Sequence, residues 1–251
     1  MKKISILSEF GNICGVFSGD YSNKDNVILL IHGFNSHKLG KSLVTVNEAL
    51  VNSGVLTFRI DLYAHGDSSG NFEELTVTKS IQSVVDSIKY LKSLGFKKIG
   101  LIGSSFGGLS GIFATEKFND LSFLILRSAV SINQGEIICN SFKIDLADWK
   151  NKGFAEFESQ GINKLNYTFY EDAQKYNAYN IASKIKIPTL IIHGKEDSIV
   201  PVEQSIELSK RIKHSRLFLV ENANHSFNEE QNNLLISEVN KFLKQIHFLQ
   251  K

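Results

Sequence analysis

Three polar residues far apart in the chain, Ser105, Asp197 and His225, each stand just past a short apolar run. Ser105 is the centre of Gly103-Ser104-Ser105-Phe106-Gly107, with the apolar run 99–102 before it and a small-residue stretch of helical spacing after it. A G-x-S-x-G string between a strand and a helix is the pattern of a nucleophile elbow. A serine held at the tip of a tight turn needs neighbours without bulk, hence glycine two before and two after it. Its hydroxyl then stands exposed at the carboxyl end of the sheet. The amide of Phe106, at the N-terminus of the following helix, is available to a developing oxyanion. A second match, Gly66-Asp67-Ser68-Ser69-Gly70, follows a polar loop with no apolar strand directly before Ser68, and reads as a surface loop.

The strand beginning at Thr189 runs out into Gly194-Lys195-Glu196-Asp197, and an acid just past a strand lies on the ligand-binding edge of an open α/β sheet. The last strand runs out into Glu221-Asn222-Ala223-Asn224-His225. Singly, Asp197 could be a turn acid and His225 a solvated loop residue. Together with Ser105 they follow the order serine, acid, histidine, each on a loop after a successive strand. His225 is then expected to take the Ser105 proton and pass it to the leaving group, with Asp197 holding the imidazole in the right tautomer. Glu196 is the fallback acid, one residue nearer the strand and expected to point elsewhere. A second oxyanion donor should come from the loop after an earlier central strand. His32-Gly33-Phe34 occupies that place, and the amide of Phe34 is the candidate. His32 itself is expected to shape that loop, and Asp61 with the turn 63–66 to border the site structurally. The other histidines show no partner pattern, and His193 reads as a strand-end packing residue. No group of His, Cys and acids has metal-site spacing, so neither metal nor cofactor is expected.

The elements around these residues alternate. Strands are expected over 4–7 and 14–18 as a hairpin, then over 27–31, 55–60, 99–102, 121–126, 187–194 and 217–220. Helices are expected over 42–52, from Thr76 to a stop at Gly95, after Ser105, and over 203–212 and 231–248. Such alternation predicts an α/β fold with a doubly wound, mostly parallel sheet. From about 131 to 180 the rhythm breaks into charges and aromatics without a clean strand, which reads as a small inserted cap in a single domain spanning 1–251. Its aromatics would either line an apolar pocket with few polar anchors or serve packing alone.

Composition narrows the classes further. A net charge of +2, from 28 basic and 26 acidic residues interspersed without a basic stripe, argues against nucleic acid as a partner. The N-terminus turns polar at Ser8-Glu9, too soon for a signal peptide, and no apolar run approaches a membrane span. Cys14 and Cys139 form no disulfide framework. A cytoplasmic protein acting on a small-molecule ester is the expectation, and nothing in the sequence specifies an oligomeric state.

The strand end LLIHGF, the loop RIDLYAHGDSSG, and GSSFGG, HGKEDSIVP and NANHSF stand in the order and spacing of the α/β-hydrolase superfamily, which this chain resembles over almost its whole length. More closely it is similar to the bacterial and archaeal cinnamoyl (feruloyl) esterases and acylaminoacyl-peptidase-like hydrolases. That resemblance implies oxyanion donors at the amides of Phe34 and Phe106. Through the segment Phe169-Tyr170-Glu171-Asp172-Ala173-Gln174 it also implies a substrate contact at Tyr170. The activity expected is that of a serine carboxylesterase cleaving small to medium acyl or aryl esters, hydroxycinnamoyl esters among them, through an acyl-enzyme. A peptidase or amidase, or a carbon–carbon bond hydrolase acting on a dienone, would use the same three residues. A hydrolase-fold binding protein without turnover is the non-enzymatic alternative.

Overall fold

Residues 2–22, 25–118, 120–159 and 161–249 are described by a computed structural model. The chain opens with an antiparallel hairpin of β1 (Lys2–Ser8) and β2 (Gly11–Ser18). Then β3 (Asn26–Ile31), α1 (Lys41–Asn52), β4 (Thr57–Ile60), α2 (Val77–Ser93), β5 (Lys98–Ser104), α3 (Phe106–Thr115) and β6 (Phe123–Arg127) alternate. An excursion follows, holding α4 (Gln134–Phe142), α5 (Leu146–Lys152), a hairpin of β7 (Phe154–Glu158) and β8 (Ile162–Asn166), and α6 (Thr168–Ala173). The alternation resumes with β9 (Thr189–Gly194), α7 (Val202–Arg211), β10 (Ser215–Val220) and α8 (Glu229–Gln245).

The main sheet has eight strands in the order β1-β2-β4-β3-β5-β6-β9-β10. Its first two pairings, β1 with β2 and β2 with β4, are antiparallel, and all the others are parallel. The doubly wound, mostly parallel sheet expected of the sequence is therefore what the chain forms. Strand β3 explains why it needs helices on both faces. Val27, Leu29 and Ile31 enter one core with Ile81, Val84 and Ile88 of α2, while Ile28 and Leu30 enter another with Leu43, Val46 and Leu50 of α1. A strand buried on both sides must read as a continuous apolar run. Helix α2 starts where the Thr76 side chain accepts a hydrogen bond from Lys79 N. Helix α8 begins at 229 rather than 231, because Asn228 and Gln231 close a reciprocal capping box there.

The excursion differs from its sequence reading in one respect: it contains two strands. In β7, the buried Ala155 and Phe157 alternate with the exposed Glu156 and Glu158. That is the alternation of a half-buried strand, too short to stand out among the neighbouring charges and aromatics. Trp149 is buried beside the hairpin and donates from Nε1 to Leu165 O at 2.9 Å. Among the described residues no helix is long and apolar enough to cross a membrane.

Candidate active site

Because β5, β9 and β10 run parallel, the loops carrying Ser105, Asp197 and His225 all leave the same edge of the sheet. Ser105 occupies the turn between β5 and α3 at φ 51° and ψ −120°, a conformation that costs a non-glycine residue about 1–3 kcal/mol. Backbone bonds hold it there. Its N–H donates to Arg127 O at 2.9 Å, and its carbonyl accepts from Gly108 N, Leu109 N and Val130 N. Gly107 permits the close approach of α3, since a Cβ there would come within 2.2 Å of the His32 carbonyl oxygen. On the next loop Gly33 lies against Ser105, where a Cβ would sit 3.2 Å from the serine Cβ.

Asp197 is the acid that turns inward. Its side chain is fully buried, and Oδ2 accepts from His225 Nδ1 at 2.7 Å. Oδ1 accepts from the amides of Ile199 and Val200, both at 2.9 Å. Burial alone would raise its pKa, but hydrogen bonds from His193 and His225 and the charge of His225 outweigh it. They hold the carboxyl well below the usual carboxylate range. Glu196, by contrast, is exposed. With Nδ1 donating to Asp197, His225 Nε2 is left bare to act as a base.

Ser105 and His225 line one cavity of about 240 Å³, together with Gly33, Phe34, Ser36, Ser42 and others. No hydrogen bond joins the Ser105 hydroxyl to the His225 ring among the described residues. Such contacts commonly tighten only when substrate is bound. The amides of Phe34, which lines the cavity, and of Phe106, next to Ser105, donate to no acceptor among the described residues. Ser68 of the second G-x-S-x-G string is tied down structurally, donating to Asp61 O at 2.7 Å and accepting from Cys14 N at 2.8 Å.

Tyr170 is not brought to this cavity. Its hydroxyl donates to Glu136 Oε1 at 2.8 Å, and its ring stacks on Tyr167 and meets Trp149 edge-on. The other rings of the excursion pack as well: Phe142, Phe157 and Phe169 surround Phe34, with centroids 5.7–6.2 Å away. None of the cavity's lining residues comes from 131–180, and its apolar wall is Leu43 and Val46 of α1 with Ile102 of β5. The rings of Phe142, Phe157 and Phe169 pack on Phe34, and none of them lines this cavity.

Two residues near the site escaped the sequence reading. His193, taken as a packing residue, is fully buried and lies with Nε2 3.1 Å from Asp197 Oδ2, while Nδ1 pairs with Ser205 Oγ at 2.6 Å. Nε2 also lies 3.0 Å from Val200 O, so it faces both that carbonyl and the carboxylate oxygen that meets His225. Arg127 ends β6, donating from Nη2 to the carbonyls of His225 and Ser226 and from Nη1 to the hydroxyls of Ser42 and Ser104. The available signal was a lone cation closing the otherwise apolar run Phe123–Arg127 on the ligand edge of the sheet. Among the described residues no group of three or more His, Cys, Asp or Glu side chains could hold a metal ion.

The loop that carries Phe34 is clamped by two neutral histidines. His32 Nε2 accepts from Leu62 N at 3.0 Å, so Nδ1 carries the proton and donates to Gly33 O at 2.7 Å. His65 Nε2 accepts from Asn35 N, and its Nδ1 donates to Tyr63 O. Burial pushes both pKa values down, His32 well below its usual value and His65 to about 4. Between pH 6.5 and about 4 the unfolded chain therefore binds a proton at His65 that the folded protein refuses. Stability should fall on acidification through this window, by roughly 3 kcal/mol for this one side chain, and should not fall further on its account below it. Denaturant midpoints at about pH 7 and about pH 4.5 should differ less in His65→Gln than in wild type. An equal difference in the two proteins would contradict the assignment.

The strand order and the serine on its strained strand-to-helix turn are those of an α/β-hydrolase. Over residues 44–248 the sequence matches the prolyl oligopeptidase family, and the chain belongs to that family. The solved structure of Est1E from Butyrivibrio proteoclasticus with ferulic acid bound is similar at a TM-score of 0.84, with 27% identity over 96% of this chain and 98% of that one. Palmitoyl-protein thioesterase ABHD10 of Bos taurus is 22% identical over 213 residues, 81% of this chain and 68% of its own length. Proline iminopeptidase PfmaB of Pestalotiopsis fici is 27% identical over 237 residues, 76% of this chain and 81% of its own length.

Proposed function

We propose that this chain is a serine carboxylesterase in which Ser105 is the nucleophile, His225 the general base and acid, and Asp197 the acid that orients the histidine. The observation that carries the reading is the 2.7 Å bond between His225 Nδ1 and a buried Asp197, on a histidine that shares a cavity with a strained serine. In the first half-reaction His225 Nε2 takes the Ser105 proton as Oγ bonds to the carbonyl carbon. The oxyanion is met by the amides of Phe34 and Phe106. The same proton then goes to the departing alcohol as its C–O bond breaks, leaving an acyl-enzyme. Water, deprotonated by His225, releases the acid and restores the serine. The segment over 131–180 serves as a small cap that closes the aromatic side of the site.

Similarity to Est1E with its bound ferulic acid and to a thioesterase supports ester chemistry. A second reading, amide hydrolysis by the same residues, is favoured by similarity to a proline iminopeptidase. Nitrophenyl acyl esters, methyl hydroxycinnamates, palmitoyl thioesters and prolyl anilides, assayed side by side, separate the two. We expect kcat/KM for the best ester to exceed that for the best anilide by about a hundredfold or more. The reverse order would assign the protein to the peptidases.

A further inference from the structure

The cavity beside Ser105 holds a positive charge that no neighbouring carboxylate neutralises. Arg127 lines it and is only 6% exposed. Its four Nη hydrogens all go to neutral oxygens: Ser42 Oγ at 2.5 Å, Ser104 Oγ at 3.1 Å, His225 O at 3.2 Å and Ser226 O at 2.8 Å. Its Nε is buried without a partner. The nearby ring of Phe227, 4.7 Å away, offers a π face and no charge. The carboxylate whose field reaches Arg127 is Asp197, which is already committed to His225 and His193. Burial has moved the guanidinium down to about 10, still fully cationic at neutral pH. A buried cation is ordinarily matched by an anion.

The two serines turn this charge toward the cavity. Ser42 and Ser104 each accept a hydrogen bond from Arg127, so the hydrogen of each hydroxyl is free to donate. Neither donates to an acceptor among the described residues, and both line the cavity. Bonds from a cation polarise the hydroxyls and strengthen what they donate. The same cavity is lined by the apolar side chains of Leu43, Val46 and Ile102. With about 240 Å³ available, the space suits a short arm with an apolar stem and an anionic end, and not a long acyl chain.

We infer that Arg127, Ser42 and Ser104 form an anchor for a substrate carboxylate, so that the preferred esters carry an anionic group on one arm. This rests on the hydrolytic reading above. Two matched pairs test it: 4-nitrophenyl hydrogen glutarate against its methyl-capped twin, and 3-carboxyphenyl butyrate against 3-carbamoylphenyl butyrate. The first places the charge on the acyl arm and the second on the alcohol arm. Wild type should favour the charged member of at least one pair by about tenfold or more in kcat/KM, mainly through KM. Arg127→Met should bring that ratio to about one, whatever it does to the neutral ester, while Arg127→Lys should keep most of it. The Ser42→Ala, Ser104→Ala double variant retains the cation and should lower the ratio several-fold, which covers the case in which Arg127→Met does not fold. Preference for the neutral twin in both pairs, or a ratio unmoved by these substitutions, would overturn the anchor. If wild type hydrolyses no ester at all, the hydrolytic reading is what fails. Calorimetric titration of Ser105→Ala with glutarate then still decides on the anchor, binding that depends on Arg127 supporting it and no binding excluding it.

Discussion

Ser105→Ala should lower kcat toward the best ester by about a millionfold while the protein folds as before. The size follows from the role. Without an oxygen to form the acyl-enzyme, only the oxyanion donors and substrate positioning remain, and these act without a nucleophile. The effect on folding should be small because the Ser105 hydroxyl makes no hydrogen bond among the described residues, so nothing buried loses a partner. The strained backbone at φ 51° suits alanine no worse than serine. Turnover, denaturant midpoint and intact mass after a fluorophosphonate probe check the three parts together. Wild type should gain one probe adduct and the variant none. A variant that still turns over at more than a trace would move the nucleophile elsewhere, and a wild type that neither reacts nor turns over would point to a binding protein.

Asp197→Asn should cost about ten-thousandfold in kcat, and Glu196→Gln should stay near wild type. An asparagine at this position keeps the shape but presents an N–H where His225 Nδ1 now meets an acceptor. The imidazole then places its own hydrogen on Nε2 and cannot take a proton from the serine. His193 makes the substitution harsher, since its Nε2 faces the same oxygen at 3.1 Å. Glu196 is exposed and takes no part in this cluster. An impaired Glu196→Gln beside an active Asp197→Asn would reassign the acid. The pH dependence of stability separates the two clusters as well. Because the folded pKa of Asp197 is depressed, its contribution is present above about pH 4 and is lost only as pH falls below that. The loss due to His65 occurs above pH 4, so the two do not overlap.

The reach of the sequence follows the range of the forces involved. Apolar runs of strand length, the helical stripe Ile81, Val84, Ile88 and Leu91, and glycines flanking a serine are local signals, and they carry the sheet class and the turn at Ser105 with them. Glu196 and Asp197 are adjacent carboxylates in the turn after β9, and in the folded chain Glu196 is exposed while Asp197 turns inward to His225. The hairpin of β7 and β8 was not legible, because two five-residue strands pair only through contact with each other and with the buried Trp149.

Arg127, His193 and the position of the cavity belong to the tertiary structure alone. Arg127 meets Ser42 of α1, Ser104 at the end of β5, and His225 and Ser226 of the loop after β10, partners that become neighbours only when β3, β5, β6 and β10 are laid into one sheet. His193 finds Asp197 only because the loop after β9 folds back over its own strand end. Which face of the sheet holds the open space was likewise decided by packing. The rings of the excursion fill the volume around Phe34, and the remaining void lies along α1. Period and turn chemistry are written along the chain, whereas the filling of space depends on every side chain that arrives there.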